Sequence, residues 1–374
     1  MLIAGGTVER GEKGEAEPAA RAVAEAAQRV FGAAPRAVRP LAGGLSTRLF
    51  YRVELPAPAP RRVVARVERP EDPARRPRGL PPEPPLEPTR TLLAEAGIPV
   101  PASHGSDTTT GITFLEDLGD LSLERAAGAW PDRRTALYRS VLRLVPRLQG
   151  LRPGSVPLPA FRRRLGPELL RYKAEFFVEH ALPVALRRPA TATEAARVRA
   201  VFSAIAAELE DAPRRLAHRD LQSRNVHLVP TDGAGAPGGR PAPEPPARLR
   251  PVLLDFQGAF LAPPEYDAVC LLRDSYVELP EGEWLTLAEE LRTELPDAPD
   301  PELFHRRFDL ITVARKAKDY ALLFYSRAGQ PPPAVAPGPA ARALQRAVAR
   351  LSRGSGPFSD FADLLAGLPE ERPR

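Results

Sequence analysis

Two proline runs, Pro81-Pro82-Glu83-Pro84-Pro85 and Pro331-Pro332-Pro333, constrain this chain more than any other feature. Proline has no backbone N–H to give to a helix or sheet interior, so such runs act as stiff connectors between folded pieces. The 46 prolines in 374 residues are about one residue in eight, and the 43% hydrophobic content is ordinary for a packed globular protein. Several folded segments with a buried core are therefore expected.

The segments differ in hydrophobic period. Residues 1–17 are charged and read as a loose leader. Pro18 to Phe31 has amphipathic-helix spacing, with Val23, Ala26, Ala27 and Val30 on one face. A β-like region follows: Val38 to Leu45 breaks at Gly43-Gly44, Phe50 to Val53 reads as a second strand and Val63 to Val67 as a third. After the proline-rich stretch comes a helix from Glu87 to Ala96 that stops at Gly97, then a strand at Ile112 to Leu115. From Ser122 to Asp211 the pattern is helical. Short strands at Asn225 to Val229 and Pro251 to Leu254 flank a Gly/Pro-rich insertion, and the chain from Tyr266 onward is mostly helical again.

A formal charge of +6 invites a nucleic-acid reading, but its distribution opposes one. Lysine occurs only at Lys13, Lys173, Lys316 and Lys318, and the arginines are scattered among acids without an aromatic-interleaved basic stripe. The single Cys270 permits no internal disulfide and lies in the apolar run Ala268 to Leu272, where a thiol behaves as a core residue. No apolar run approaches the length of a membrane span, and the N-terminus is too short for a signal peptide. A soluble, cytoplasmic protein with neither nucleic-acid nor membrane partners is expected.

The segment that carries chemistry is His218-Arg219-Asp220 through Ser223-Arg224-Asn225, followed by Asp255-Phe256-Gln257. A phosphotransferase needs one carboxylate to orient the attacking hydroxyl and accept its proton, and an amide oxygen and a second carboxylate to hold Mg2+ on the nucleotide phosphates. Asp220, Asn225 and Asp255 supply these parts in order, and Mg2+ keeps enough waters that two protein oxygens suffice. Asn225 is the only asparagine in the chain. His218 reads as scaffold, because Asp220 already suits the role of base.

These motifs are similar to those of the aminoglycoside phosphotransferase superfamily. Within it, the sequence resembles the anomeric kinases that phosphorylate N-acetylmuramate and N-acetylglucosamine in cell-wall recycling. The likeness runs from Arg39 to Gly329 and includes Glu116-Asp117-Leu118-Gly119-Asp120, Tyr266-Asp267 and Leu272-Arg273-Asp274. It implies an α+β, two-lobed, protein-kinase-like fold: a small antiparallel-sheet N-lobe over 18–118 and a larger helical C-lobe over 119–374, with ATP in the cleft between them. It further implies that Gly43, Gly44 and Ser46 cover the phosphates and that backbone groups near Glu116 and Leu118 meet the adenine. In the family a lysine on the third strand pairs with a glutamate on the next helix; Arg66 stands in the lysine's place, with Glu87 as its expected partner. Arg224, Arg273 and Asp274 are expected to contact the acceptor.

Three activities are open on these residues. One is 1-phosphorylation of an amino sugar with ATP and Mg2+. Another is phosphorylation of a cationic aminoglycoside or amino alcohol, for which Glu278, Glu281 and Glu283 offer an acidic surface; a carboxylated sugar would instead suit Arg315, Lys316 and Lys318. The third is an inactive kinase-like binding module, suggested only by Arg66.

Overall fold

The computed structural model describes residues 10–41, 48–58, 60–68, 82–154, 158–231, 248–325, 337–352 and 354–369. Gly43, Gly44 and Ser46 lie outside the described residues. The chain forms two compact units, one of Met1–Pro77 with Pro101–Gly119 and the other of Arg78–Val100 with Asp120–Arg374.

The first unit is an antiparallel sheet with one helix on its face. Strands β1 (Ala37–Pro40), β2 (Leu49–Glu54), β3 (Arg62–Val67), β4 (Ser103–Ser106) and β5 (Thr113–Glu116) run in the order β1-β2-β3-β5-β4. Strand alternation sends Tyr51, Val53, Val63 and Ala65 to one side, where they meet Val23, Ala26 and Ala27 of helix α1 (Arg10–Phe31). Small residues on that helix face let the aromatic rings of the sheet seat against it, and Phe31 meets Phe114 edge-on at 5.2 Å. The same alternation turns Arg66 to the opposite face. Helix α1 takes in Arg10 to Glu17, so that part of the expected leader is helical. Strand β4, Ser-His-Gly-Ser, has no apolar alternation and exists through its pairing with β5.

The second unit is mainly helical. It includes α2 (Leu86–Glu95), which the sequence grouped with the sheet; α2 packs on the turn Phe256–Gly258, and the Leu253 N–H donates to the Pro99 carbonyl at 2.9 Å. Helices α3 (Leu123–Ala129), α4 (Arg134–Leu142), α5 (Leu144–Gln149), α6 (Pro159–Arg162), α7 (Pro167–His180), α8 (Leu182–Leu186) and α9 (Ala192–Glu208) come next. Two antiparallel strand pairs follow, β6 (Arg215–Ala217) with β9 (Phe260–Ala262) and β7 (Val226–Pro230) with β8 (Leu249–Leu253). The unit closes with α10 (Tyr266–Leu272), α11 (Glu281–Glu294), α12 (Pro301–Leu322), α13 (Gly338–Leu351) and α14 (Pro357–Leu365).

Helix α12 is the spine, packed by α7, α10 and α13. It buries Phe304, Phe308, Ile311, Val313, Ala317 and Tyr320, and the Trp284 ring of α11 stacks on Phe308 at 5.2 Å. A helix apolar on all sides belongs in a core. Here Arg315 and Lys316 interrupt it, and their burial forces them onto acidic partners. No helix among the described residues is long and apolar enough to cross a membrane.

Phe114 is fully buried between the sheet and α1. Phe114→Ala is expected to lower the stability of the first unit by about 3–5 kcal/mol, whereas Leu285→Ala on the exposed side of α11 should change stability by less than about 0.5 kcal/mol. Urea denaturation followed by circular dichroism checks both.

Candidate active site

Strand β6 delivers the chain into the loop His218–Asn225, which ends in a 3-10 turn and enters β7. Two buried carboxylates fasten it. Asp267, in the first turn of α10, accepts the His218 N–H at 2.7 Å and the Arg219 N–H at 3.1 Å. Asp274, just beyond the same helix, accepts the Ser223 N–H at 2.8 Å and the Tyr276 N–H at 3.2 Å. Burial raises the Asp267 carboxyl to about 7, opposed by those two N–H groups and by Arg315. Burial likewise raises Asp274. Burial pushes the His218 imidazole down to about 4, so it is neutral near neutral pH; its Nδ1 accepts the Asp220 N–H at 3.3 Å. The expected scaffold role for His218 fits this arrangement.

Asp220 keeps 31% of its side chain exposed and pairs with Arg315 Nη1 at 2.8 Å. Burial alone would raise its pKa; the positive charges of Arg315, Arg219 and Lys318 outweigh burial and hold it below the ordinary carboxylate range. Arg315 Nη1 also donates to the Arg219 carbonyl at 2.9 Å, and its Nε binds Asp319 at 3.1 Å. Lys316 is likewise committed, to Asp319 and to Ser275 Oγ, both at 3.0 Å. Arg315 and Lys316 are therefore not an open patch for a carboxylated acceptor. Cys270 is a core thiol as expected, raised to about 12 by burial, with its Sγ 3.3 Å from the Arg219 carbonyl.

The β7–β8 hairpin brings the two candidate metal ligands together. Val226 pairs with Leu253, and the Leu254 N–H donates to the Asn225 carbonyl at 2.8 Å, so Asp255 follows directly on the residue opposite Asn225. The Asn225 amide nitrogen donates to the Asp220 carbonyl at 2.8 Å, which leaves the amide oxygen as the outward acceptor. Gln257 Nε2 holds one Asp255 oxygen at 2.6 Å and reaches Glu83 at 3.2 Å. One amide oxygen beside one oriented carboxylate is a hard-oxygen pair that fits Mg2+. Arg219 (φ 80°) and Asp255 (φ 58°) both sit in the left-handed region, a strain of about 1–3 kcal/mol each that the surrounding bonds sustain. The Arg219 side chain also passes where a Cβ on Gly258 would lie, 2.9 Å away.

The other expected site residues have surroundings of their own, and Glu87 is not the acid beside Asp255. Glu87 is 52% exposed and forked by Arg90 at 2.6 Å, whereas Glu83, which the proline run disguised as connector, is the acid tied through Gln257 to Asp255. Arg66 is buried on β3 and pairs with Glu68. The Glu116 N–H is taken by the Ala102 carbonyl at 2.8 Å, and Leu118 is buried. Arg224 forks Glu124 at 2.8 and 2.9 Å and lies 3.8 Å from the Tyr276 ring centroid, so it is held in a structural pair. Asp274 serves the loop backbone. Arg273 is buried against Trp284, 4.1 Å from the ring centroid.

Residues 37–236, more than half of the chain, match the model of the phosphotransferase enzyme family (APH). The chain belongs to that family. It is 27% identical over 286 residues to an N-acetylmuramate/N-acetylglucosamine kinase of Pseudomonas aeruginosa, covering 75% of this chain and 76% of that one. A protein of the same name from Pseudomonas putida is 28% identical over 232 residues, and the match spans 61% of each chain. Among solved structures, the choline kinase LicA from Streptococcus pneumoniae aligns with a TM-score of 0.53 at 14% identity over 93% of this chain and 97% of that one. A choline/ethanolamine kinase family protein from Mesorhizobium loti aligns with a TM-score of 0.53 at 16% identity over 92% and 98%. These likenesses make the fold the expected α+β kinase-like one.

Two measurements test how the loop is held. Asp267→Ala leaves two buried N–H groups unpaired and should cost about 1–3 kcal/mol for each; Asp267→Asn, which keeps one acceptor oxygen, should lose about half as much in urea titration. Because His218 is neutral in the fold, its contribution is fully present above its ordinary value of about 6.5 and is lost as the pH falls toward about 4. The stability difference between the parent protein and His218→Leu should therefore narrow across that window.

Proposed function

We propose that this family member is an ATP- and Mg2+-dependent small-molecule kinase that phosphorylates the anomeric hydroxyl of an N-acetylated amino sugar. The observation that carries this reading is the hairpin that sets Asn225 and Asp255 beside a loop whose Asp220 is held ionised by Arg315. The names of the Pseudomonas relatives support the acceptor class.

Asp220 is a weak base, because Arg315 stabilises its charge. Such a group orients a hydroxyl by accepting its hydrogen bond and takes the proton late, as the hydroxyl oxygen bonds to the γ-phosphorus and the bond to the β-bridging oxygen breaks to release ADP. An anomeric hydroxyl, more acidic than an ordinary alcohol, suits so weak a base. Asn225 and Asp255 would hold the Mg2+, whose charge screens the nucleotide phosphates when bound. Leu118 is the candidate for the adenine contact, since among the described residues no backbone hydrogen bond engages it. The protein is expected to be soluble and cytoplasmic.

A cationic acceptor fits less well. Glu283 is bound by Arg134 at 2.5 Å, Glu278 by Arg342 at 2.6 Å and Glu281 by Arg350 at 3.7 Å, so all three acids proposed to attract it already have a cation. An inactive module is disfavoured because base and both metal ligands are present together.

ATP consumption should be seen with N-acetylmuramate or N-acetylglucosamine, vanish with EDTA and return with Mg2+. Asp220→Asn should reduce turnover by about 10²–10⁴-fold with little change in substrate KM. Turnover on kanamycin alone would replace the amino-sugar reading with the cationic one.

A further inference from the structure

Arg273 is an unusual arginine for this protein. Arg29, Arg139, Arg199, Arg224, Arg306 and Arg350 each present the side-on edge formed by Nε and Nη2 to the two oxygens of a carboxylate. Arg273 is only 6% exposed, yet the same two nitrogens are buried with no hydrogen-bond partner. One face of its guanidinium lies on Trp284. A guanidinium removed from water with its donors unpaired is costly unless an anion meets it.

A small cavity open to solvent lies beside it, lined by Arg273, Arg346 and the apolar Val277, Leu279, Pro339 and Ala343. Its two acids are already engaged: Asp274 holds the Ser223 and Tyr276 N–H groups, and Glu278 is forked by Arg342. Asp309, near Arg273 on α12, is forked by Arg350 at 2.8 and 2.6 Å. Burial first, and then repulsion from Arg350 and Arg346, lower Arg273 to about 10 despite the attraction of Asp309 and Glu281. The catalytic loop residues Asp220 and Asn225 do not line this cavity.

We propose that Arg273 and Arg346 form a binding site for one small oxyanion, separate from Asp220 and its metal ligands. Two parallel N–H groups match two oxygens of a carboxylate or phosphate, which a spherical halide lacks. Both nitrogens are shielded from water, so an anion reaches them only with a local side-chain shift, and the exposed Arg346, which lines the same cavity, supplies the second cation. Free phosphate and a carboxylate on a larger molecule share this chemistry.

The test is thermal melting of the full chain with phosphate, acetate or chloride at matched ionic strength. At about twentyfold over Kd, phosphate or acetate should raise Tm by about 3 °C, and chloride should not. A larger shift with phosphate points to the free ion as source, an equal or larger one with acetate to a carboxylate; either supports the site. Arg346→Ala, on the exposed face of α13, should weaken the shift, and Arg273→Met, which keeps apolar contact with Trp284 but no donors, should abolish it. An equal shift with chloride, no shift with either oxyanion, or an undiminished shift in Arg346→Ala would overturn the proposal. Should Arg273→Met fail to fold, Arg346→Ala alone decides.

Discussion

The carboxylate of Asp267 is the interaction on which the rest of the candidate site depends. It accepts the backbone N–H groups of His218 and Arg219, and seven residues later Asp274 accepts that of Ser223. Asp267 stands in the first turn of α10 and Asp274 two residues past its end, so one short helix and its exit grip the loop at both ends. Burial makes each carboxyl hard to ionise, and the backbone donors are what make a charged or strongly polar acceptor tolerable there. A loop held this way can keep Arg219 at positive φ, an uncommon conformation for a residue with a side chain.

Helix α12 sets the electrostatics of that loop. A single guanidinium, Arg315, reaches the Arg219 carbonyl, the Asp220 carboxylate and Asp319, so it fixes backbone position and protonation state together. Burial would favour a neutral Asp220; Arg315, Arg219 and Lys318 reverse that preference. The consequence is chemical. An acid stabilised as its anion is poor at abstracting a proton early, and it favours acceptors whose hydroxyl is already acidic or whose proton leaves after the new bond has begun to form.

The sequence carries local pattern well and tertiary partnership poorly. The helix face of Val23, Ala26 and Ala27 and the strands around Tyr51 and Val63 were legible because burial follows a short period. Asp220, Asn225 and Asp255, the residues proposed for the chemistry, could be singled out together because their spacing is tied to one loop and one hairpin. Strand β4 was not, since an edge strand of Ser, His and Gly is defined by its neighbour and not by its own composition. Glu87 looked like the acid of the site by its place on a helix, but its nearest cation is Arg90 one turn on, while Glu83 sits among prolines that carry no helical signal. Arg224 and Asp274 lie within matched motifs, and only the fold reveals that one meets Glu124 and the other the loop backbone.

Arginine use gives the +6 net charge its structural meaning. Arg29 to Asp107, Arg134 to Glu283, Arg139 to Glu290, Arg306 to Glu208 and Arg342 to Glu278 join elements far apart in the sequence, and most of these pairs form two parallel hydrogen bonds. A planar fork on a carboxylate fixes distance and orientation in a way a lysine point charge does not. Each exposed pair contributes little stability alone, about 0–1 kcal/mol, so their effect lies in choosing which helix faces meet.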